Sequence, residues 1–205
     1  MRVGIVNYGM GNIRSITSTL KYLGVDDVIL SSDHSVLKNT DKLILPGVGS
    51  FLQAMSVIKN LGLDVHLKEL VLGSRKPILG ICLGMQLLTE SSAEEGDNEG
   101  LSFIKGAVTK FDNHKLKIPH IGFNQVKKNK SSILFDGIED NSDFYFVHSY
   151  KMLSNYDINQ SVCDYGEAFI ASFEQENIFG VQFHPELSQS NGLSLLKNFI
   201  TLTGC

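Results

Sequence analysis

The run Pro77-Ile78-Leu79-Gly80-Ile81-Cys82-Leu83-Gly84-Met85-Gln86 leaves this chain few ways to fold. Pro77 is tolerated only at the start of a strand, and Ile78, Leu79 and Ile81 form a short apolar run suited to burial on both faces. Beyond Gly84, Met85 and Leu88, then Leu87 and Ser91, recur at helical spacing. A strand turning sharply into a helix holds Cys82 with its thiol toward the unpaired N–H groups of the helix's first turn. Those groups and the helix dipole favour a thiolate. A free cysteine is more often a small buried hydrophobe. Gly80 and Gly84 argue otherwise, because close backbone approach and relief of crowding serve a nucleophile's elbow and not a merely buried thiol.

The flanking pattern predicts an α/β fold with a mostly parallel central sheet and helices on both faces. Arg2 to Tyr8 reads as a strand, Gly9 to Asn12 as a turn, and Ile13 to Leu23 as a helix. Strands are expected at Val28–Ser31 and Lys42–Leu45, a helical turn at Ser35–Lys38, and helices at Ser50–Asn60 and Asp64–Leu72. In such sheets, ligands sit beyond the carboxyl ends of the strands, where both Gly47-Val48-Gly49 and Cys82 fall. The second half changes character. After the polar, acidic Ser91–Gly100, short apolar segments at Leu101–Phe111, Ile118–Val126, Phe144–Met152, Glu167–Phe173 and Ile178–Phe183 predict antiparallel or mixed strands. A helix over Gly192–Thr203 closes a single domain of 205 residues.

Composition removes several function classes. A net charge of −4 and the absence of any basic, aromatic-interleaved patch give no support for nucleic-acid binding. Lys127, Lys128 and Lys130 read as a solvated surface turn. No apolar run approaches the ~20 residues of a membrane span, and the N-terminus is apolar too briefly for a signal peptide, so a cytoplasmic location is expected. Cys82, Cys163 and Cys205 show no C-x-x-C or His/Cys ligand spacing, which disfavours a zinc site and a disulfide framework; Cys163 and Cys205 read as structural or incidental. Gly9-x-Gly11 lacks the third glycine of a dinucleotide loop, Arg14 standing in its place, so no cofactor is expected.

A cysteine nucleophile needs a base. Of His34, His66, His114, His120, His148 and His184, only His184 has a suitable context. Phe179 to Phe183 reads as a strand, on which Gln182, His184 and Glu186 would share a face. Side chains two apart on an extended chain stand roughly 6 to 7 Å apart at their bases, so Glu186 can hold one ring nitrogen of His184 while the other faces a substrate. Cys82, His184 and Glu186 then form a triad for acyl transfer at an amide or ester carbonyl. The oxyanion would be held by the N–H of Leu83 and by one from Gly47-Val48-Gly49.

Gly80-Ile81-Cys82-Leu83-Gly84-Met85-Gln86 with His184-Pro185-Glu186 resembles the class I (triad) glutamine amidotransferases, which have a flavodoxin-like fold and hydrolyse glutamine to glutamate and ammonia. Met85, Tyr8-Gly9-Met10-Gly11-Asn12, Pro46-Gly47-Val48-Gly49, Pro119-His120-Ile121-Gly122 and Tyr145-Phe146-Val147-His148-Ser149-Tyr150 narrow the resemblance to the glutaminase subunits of imidazole glycerol phosphate synthase. The resemblance implies Cys82 as nucleophile, His184 as base, Glu186 as its orienter, and Gly49 with the Val48 peptide as the mobile side of the oxyanion hole opposite Leu83. It further implies that Gln86, His148 and Ser149 hold the substrate. An acid after the elbow helix would bind the substrate's amino group, and Glu95 is named for it, with Glu94 as rival.

The same resemblance implies a partner. In this family the glutaminase docks on a (βα)8-barrel cyclase as a heterodimer, passes ammonia through it to make imidazole glycerol phosphate and AICAR, and idles until the barrel binds its ligand. Asn12, Phe123 and Leu187 fall on the docking side. Phe123 replaces a tryptophan and Leu187 a lysine of the family pattern, which leaves open a paralogue working with a diverged barrel in surface-polysaccharide sugar amidation. A free-standing cysteine γ-glutamyl hydrolase is a further alternative, as is a non-catalytic binding protein, against which the intact triad speaks.

Overall fold

The computed structural model describes residues 1–112 and 117–202; His114, Cys205 and the expected helix end at Thr203 lie outside them. The first half alternates as its pattern predicts: β1 (Arg2–Val6), α1 (Ile13–Tyr22), β2 (Asp27–Ser31), α2 (His34–Lys38), β3 (Lys42–Leu45), α3 (Phe51–Asn60), α4 (Leu63–Lys68), β4 (Ile78–Ile81) and α5 (Leu83–Leu87). Alternate residues of β3 divide between two buried apolar clusters, Leu43 and Leu45 in one and Ile44 in the other. That division is the two-sided burial a central parallel strand requires. The helix expected over Asp64–Leu72 is in two parts, since Glu69–Gly73 is wound as π-helix after α4.

The second half contributes β5 (Ser91–Ser92), β6 (Asn98–Glu99), β7 (Ala107–Lys110), β8 (His120–Lys127), β9 (Ser142–His148), β10 (Tyr150–Leu153), β11 (Ser161–Asp164), β12 (Ala168–Gln175), β13 (Ile178–Val181), a 3₁₀ turn (Pro185–Leu187) and α6 (Gln189–Thr201). The large sheet runs β2-β1-β3-β4-β13-β12-β11-β8-β9. Its strands from β2 to β13 are parallel, and from β13 onward the pairs are antiparallel. A smaller sheet has the order β10-β7-β5-β6.

Three expectations need correction. The run Phe144–Met152 is two strands in different sheets, because the chain leaves the large sheet after His148 and enters the small one at Tyr150. Within Leu101–Phe111, only Ala107–Lys110 is strand. The last strand ends at Val181, short of Phe183. Beyond it, α6 is anchored by buried Lys42, whose Nζ donates to Phe199 O and Leu202 O, both at 2.7 Å, so a strand residue satisfies carbonyls at the helix's end.

Candidate active site

The carboxyl ends of β1, β3, β4 and β13 lie side by side in the sheet, and the segments leaving them meet around one crevice. A cavity of about 390 Å³ there is lined by Cys82, Leu83, Gln86, Val48, Gly49, His148, Ser149 and His184, all singled out from the sequence. Cys82 follows β4 directly and adopts φ +54°, a left-handed conformation that a non-glycine residue keeps only when its surroundings impose it. Its N–H donates to Val181 O at 2.8 Å, which ties the elbow to β13. A Cβ on Gly84 would stand 1.8 Å from Leu45 O, and one on Gly47 2.7 Å from the Gly84 nitrogen, so β3's exit loop lies against the elbow.

The elbow helix, α5, is only five residues long. So short a helix carries little macrodipole, and the expected support for charge on the sulfur from the dipole is correspondingly small. Two polar groups contact the sulfur directly. Cys82 Sγ–H donates to Val147 O at 3.8 Å, and Gln182 Nε2 donates to Sγ at 3.7 Å.

His184 and Glu186 do meet, but not on a strand. His184 is extended at φ −99°, and Pro185 opens the 3₁₀ turn that carries Glu186 back beneath the imidazole. His184 Nδ1–H donates to Glu186 Oε1 at 2.9 Å, with both side chains buried. Burial works against a charged imidazole, yet nearby Cys82 and the hydrogen-bonded Glu186 outweigh it and raise the His184 pKa. Nδ1 being committed to Glu186, the buried Nε2 is the nitrogen left for chemistry. The backbone is clasped as well: Ser188 Oγ donates to His184 O at 2.6 Å and accepts the Tyr145 N–H at 2.9 Å.

Asn12, expected at the partner interface, turns its amide inward. Its Nδ2 donates to Glu186 Oε1 at 3.1 Å. This accounts for a helix N-cap residue whose side chain makes no capping bond to α1. A cap residue looks the same in sequence whether it serves its own helix or a carboxylate 174 positions away, so nothing local could have revealed the contact.

The acid in the cavity wall is Glu94; Glu95, the residue named from the resemblance, is outside it. Glu94 Oε2 accepts the Phe51 N–H at 2.9 Å, and burial raises its pKa. Gln86 Nε2 is spent on two protein acceptors, Tyr150 O at 3.1 Å and Gln182 Oε1 at 2.9 Å, so the atom it can offer a ligand is Oε1. His148 Nδ1 lies 2.7 Å from Tyr150 O, a carbonyl that can only accept, so Nδ1 carries the proton. Its bare Nε2 then accepts from His120 Nδ1–H at 3.0 Å. Burial pushes the two imidazoles down, to about 3 for His148 and about 4 for His120. His120 is itself sandwiched between Phe146 and Tyr165.

Phe123 and Leu187 are exposed, as docking residues would be. On the outward face of the β8–β9 ladder, Ile121 pairs with Val147 and Phe123 with Tyr145, and this apolar strip reaches the cavity at Val147. Among the described residues no cluster of His, Cys, Asp or Glu could hold a metal ion, and no helix is long and apolar enough to cross a membrane.

Comparison with known proteins places these features in a family. Residues 4–202 match the family described as glutamine amidotransferase class-I. The chain is 46% identical over 201 residues to imidazole glycerol phosphate synthase subunit HisH 1 of Campylobacter jejuni, covering 98% of this chain and 100% of the relative. It is 43% identical to the HisH subunit of Aquifex aeolicus over 97% of this chain and 96% of that one. In fold it is similar to a glutamine amidotransferase from Thermotoga maritima, with a TM-score of 0.68 at 15% identity, covering 98% and 96% of the two chains.

Proposed function

The chain belongs to the class I glutamine amidotransferase family, and from that premise we propose that it is the glutaminase subunit of an imidazole glycerol phosphate synthase, residues 1–205 acting as one amidotransferase domain. It hydrolyses glutamine to glutamate and ammonia, and a (βα)8-barrel cyclase subunit consumes the ammonia in histidine biosynthesis. A cytoplasmic location goes with that pathway. The observation that carries the reading is the convergence of Cys82 and His184, from the ends of neighbouring strands, on one cavity, with Glu186 buried behind the imidazole.

The geometry supports a two-step acyl transfer. Cys82 Sγ attacks the side-chain amide carbonyl of glutamine, and the negative charge moves to the carbonyl oxygen, where the Leu83 N–H and the Val48–Gly49 peptide would receive it. His184 Nε2 delivers its proton to the departing nitrogen, releasing ammonia and leaving a γ-glutamyl thioester. A water, deprotonated by the same Nε2, then releases glutamate and regenerates the thiol. Glu186 holds the imidazole's tautomer throughout. Glu94 suits the substrate's amino group, and the Gln86, His148 and Ser149 wall its carboxylate end and stem. Ammonia released into water is protonated and lost, so a nitrogen donor of this kind works best sealed against its consumer. The apolar strip around Ile121, Phe123, Val147 and Leu187 is the surface suited to that seal.

The test is glutamate release from glutamine by the purified protein, alone and mixed with the barrel cyclase, with and without the cyclase's nucleotide ligand. Low activity alone and strong stimulation by the liganded cyclase are expected, both abolished by Cys82→Ala. Full activity without a partner would overturn the reading in favour of a free-standing γ-glutamyl hydrolase.

A further inference from the structure

Gln182 is wholly buried, and the triad chemistry assigns it nothing. It stands one residue past β13, as Cys82 stands one past β4, and Val181 is paired with Ile81 across those adjacent parallel strands. The two side chains therefore leave neighbouring strand ends together. We propose that Gln182 is a further catalytic residue, whose Nε2–H donates to Cys82 Sγ and stabilises the negative charge the sulfur carries before attack and again when the thioester is released. The proposal rests on the reading of Cys82 as an acyl-transfer nucleophile.

The direction of that hydrogen bond follows from a chain of contacts anchored on a backbone carbonyl. Tyr150 O can only accept, so the Gln86 atom 3.1 Å from it is Nε2. Gln86 Nε2 donates its second hydrogen at 2.9 Å, so its partner on Gln182 is Oε1. The remaining Gln182 atom, Nε2, faces Sγ at 3.7 Å. Flipping either amide would set donor against donor or acceptor against acceptor. Gln86 thus acts as the clamp that aims Gln182 at the sulfur.

The energetics run in one direction. The thiol's own bond to Val147 O exists only while the proton is on sulfur and favours the neutral form. A donor aimed at sulfur is stronger when the sulfur is negative, because a hydrogen bond to an ionised acceptor is roughly twice as strong as a neutral one. With α5 only five residues long, the Gln182 donor adds to the His184 charge in favouring a thiolate. Packing alone does not call for an amide at this depth. A methionine of similar length would fill the space, and a buried amide is costly unless its polar atoms are bonded.

The test is Gln182→Met, read by the pH profile of Cys82 alkylation with iodoacetamide in the free protein, the label being located by peptide mass spectrometry. His184 is the charged group acting with Cys82, Tyr8 beside it stays a neutral phenol because burial pushes its pKa up, and both remain in place. The midpoint of the profile should move up by about one pH unit, the value of one hydrogen bond to a charged group. In the complex with the cyclase, kcat should fall about tenfold with KM unchanged. A wild-type alkylation profile in a folded variant, or a loss confined to KM, would overturn the proposal. A second measurement avoids any folding defect of Gln182→Met: in the otherwise native chain, the Gln182 side-chain amide resonances should shift on Cys82→Ser, and unchanged resonances would also overturn it. Alkylation needs no glutamine turnover, so a complex that fails to hydrolyse glutamine would count against the function above while leaving the role of Gln182 decided by its own experiment.

Discussion

Cys82 sits in a backbone conformation that is unfavourable for it, and the neighbouring contacts hold it there. A φ of +54° costs of order 1–3 kcal/mol, offset by the packing of the elbow against β3's exit loop and by the bond from its own N–H to Val181 O. The histidines behind the cavity act on stability through protons. His148 and His120 have folded pKa values of about 3 and about 4, below the ordinary 6.5. Below pH 6.5 the unfolded chain therefore binds protons that the folded protein refuses, and stability falls with pH in that range. His184, whose pKa is raised, already holds its proton in the folded state while the unfolded chain takes one up toward the upper end of this range, so it offsets only part of the pair's effect and the net fall remains. The urea midpoint should drop between about pH 6.5 and pH 5, and the drop should be shallower in His120→Asn. A midpoint that is flat or rises on acidification over this range would contradict the neutral histidine pair.

At the scale of elements, the site is made by what happens just after each strand ends. β4 ends in the elbow, β13 in the 3₁₀ turn, β3 in the glycine loop and β9 in the switch to the small sheet at Ser149. The elbow and the loop fit because Gly84 brings its α-carbon against Leu45 O, where a Cβ would sit at 1.8 Å. Gly84→Ala is expected to cost about 3 kcal/mol or more by urea unfolding, since rigid backbone on the opposite side cannot move away. Gly73→Ala, where a Cβ meets only open space, should change stability by less than about 0.5 kcal/mol. Equal effects at the two positions would refute the close-packing argument. The strand cores of the first half were legible from short apolar runs, because burial on both faces leaves that signature whatever the surroundings. The 3₁₀ turn at Pro185 was not, since an extended and a turned His-Pro-Glu both bring His184 and Glu186 together, and only the end of pairing at Val181 distinguishes them.

On the scale of the whole molecule, the cavity opens beside an apolar strip exposed at the surface. Ile121 is 59% exposed and Phe123 49%, on the side of the β8–β9 ladder opposite buried Phe144 and Phe146. Charge placed there should leave the fold intact and spoil docking. Ile121→Asp is expected to keep the melting temperature within a few degrees while weakening stimulation by the cyclase at least about tenfold, measured by titrating the cyclase into the glutaminase assay. Unaltered stimulation would move the docking surface elsewhere.

Residue types and their local spacing were enough to mark the elbow, the parallel core and a candidate pairing of Cys82 with His184 and Glu186. Each depends on residue types whose roles are set within a few positions: a proline at a strand's start, apolar runs buried on both faces, a cysteine between glycines, a histidine two before a carboxylate. Contacts between segments far apart in the chain were settled by strand order and packing. Asn12 serves Glu186 rather than its own helix, Glu94 rather than Glu95 enters the cavity, and Gln182 reaches Sγ only because β13 lies beside β4. A side chain's identity sets which hydrogen bonds it can make, while strand order and register set which atoms are near enough to make them.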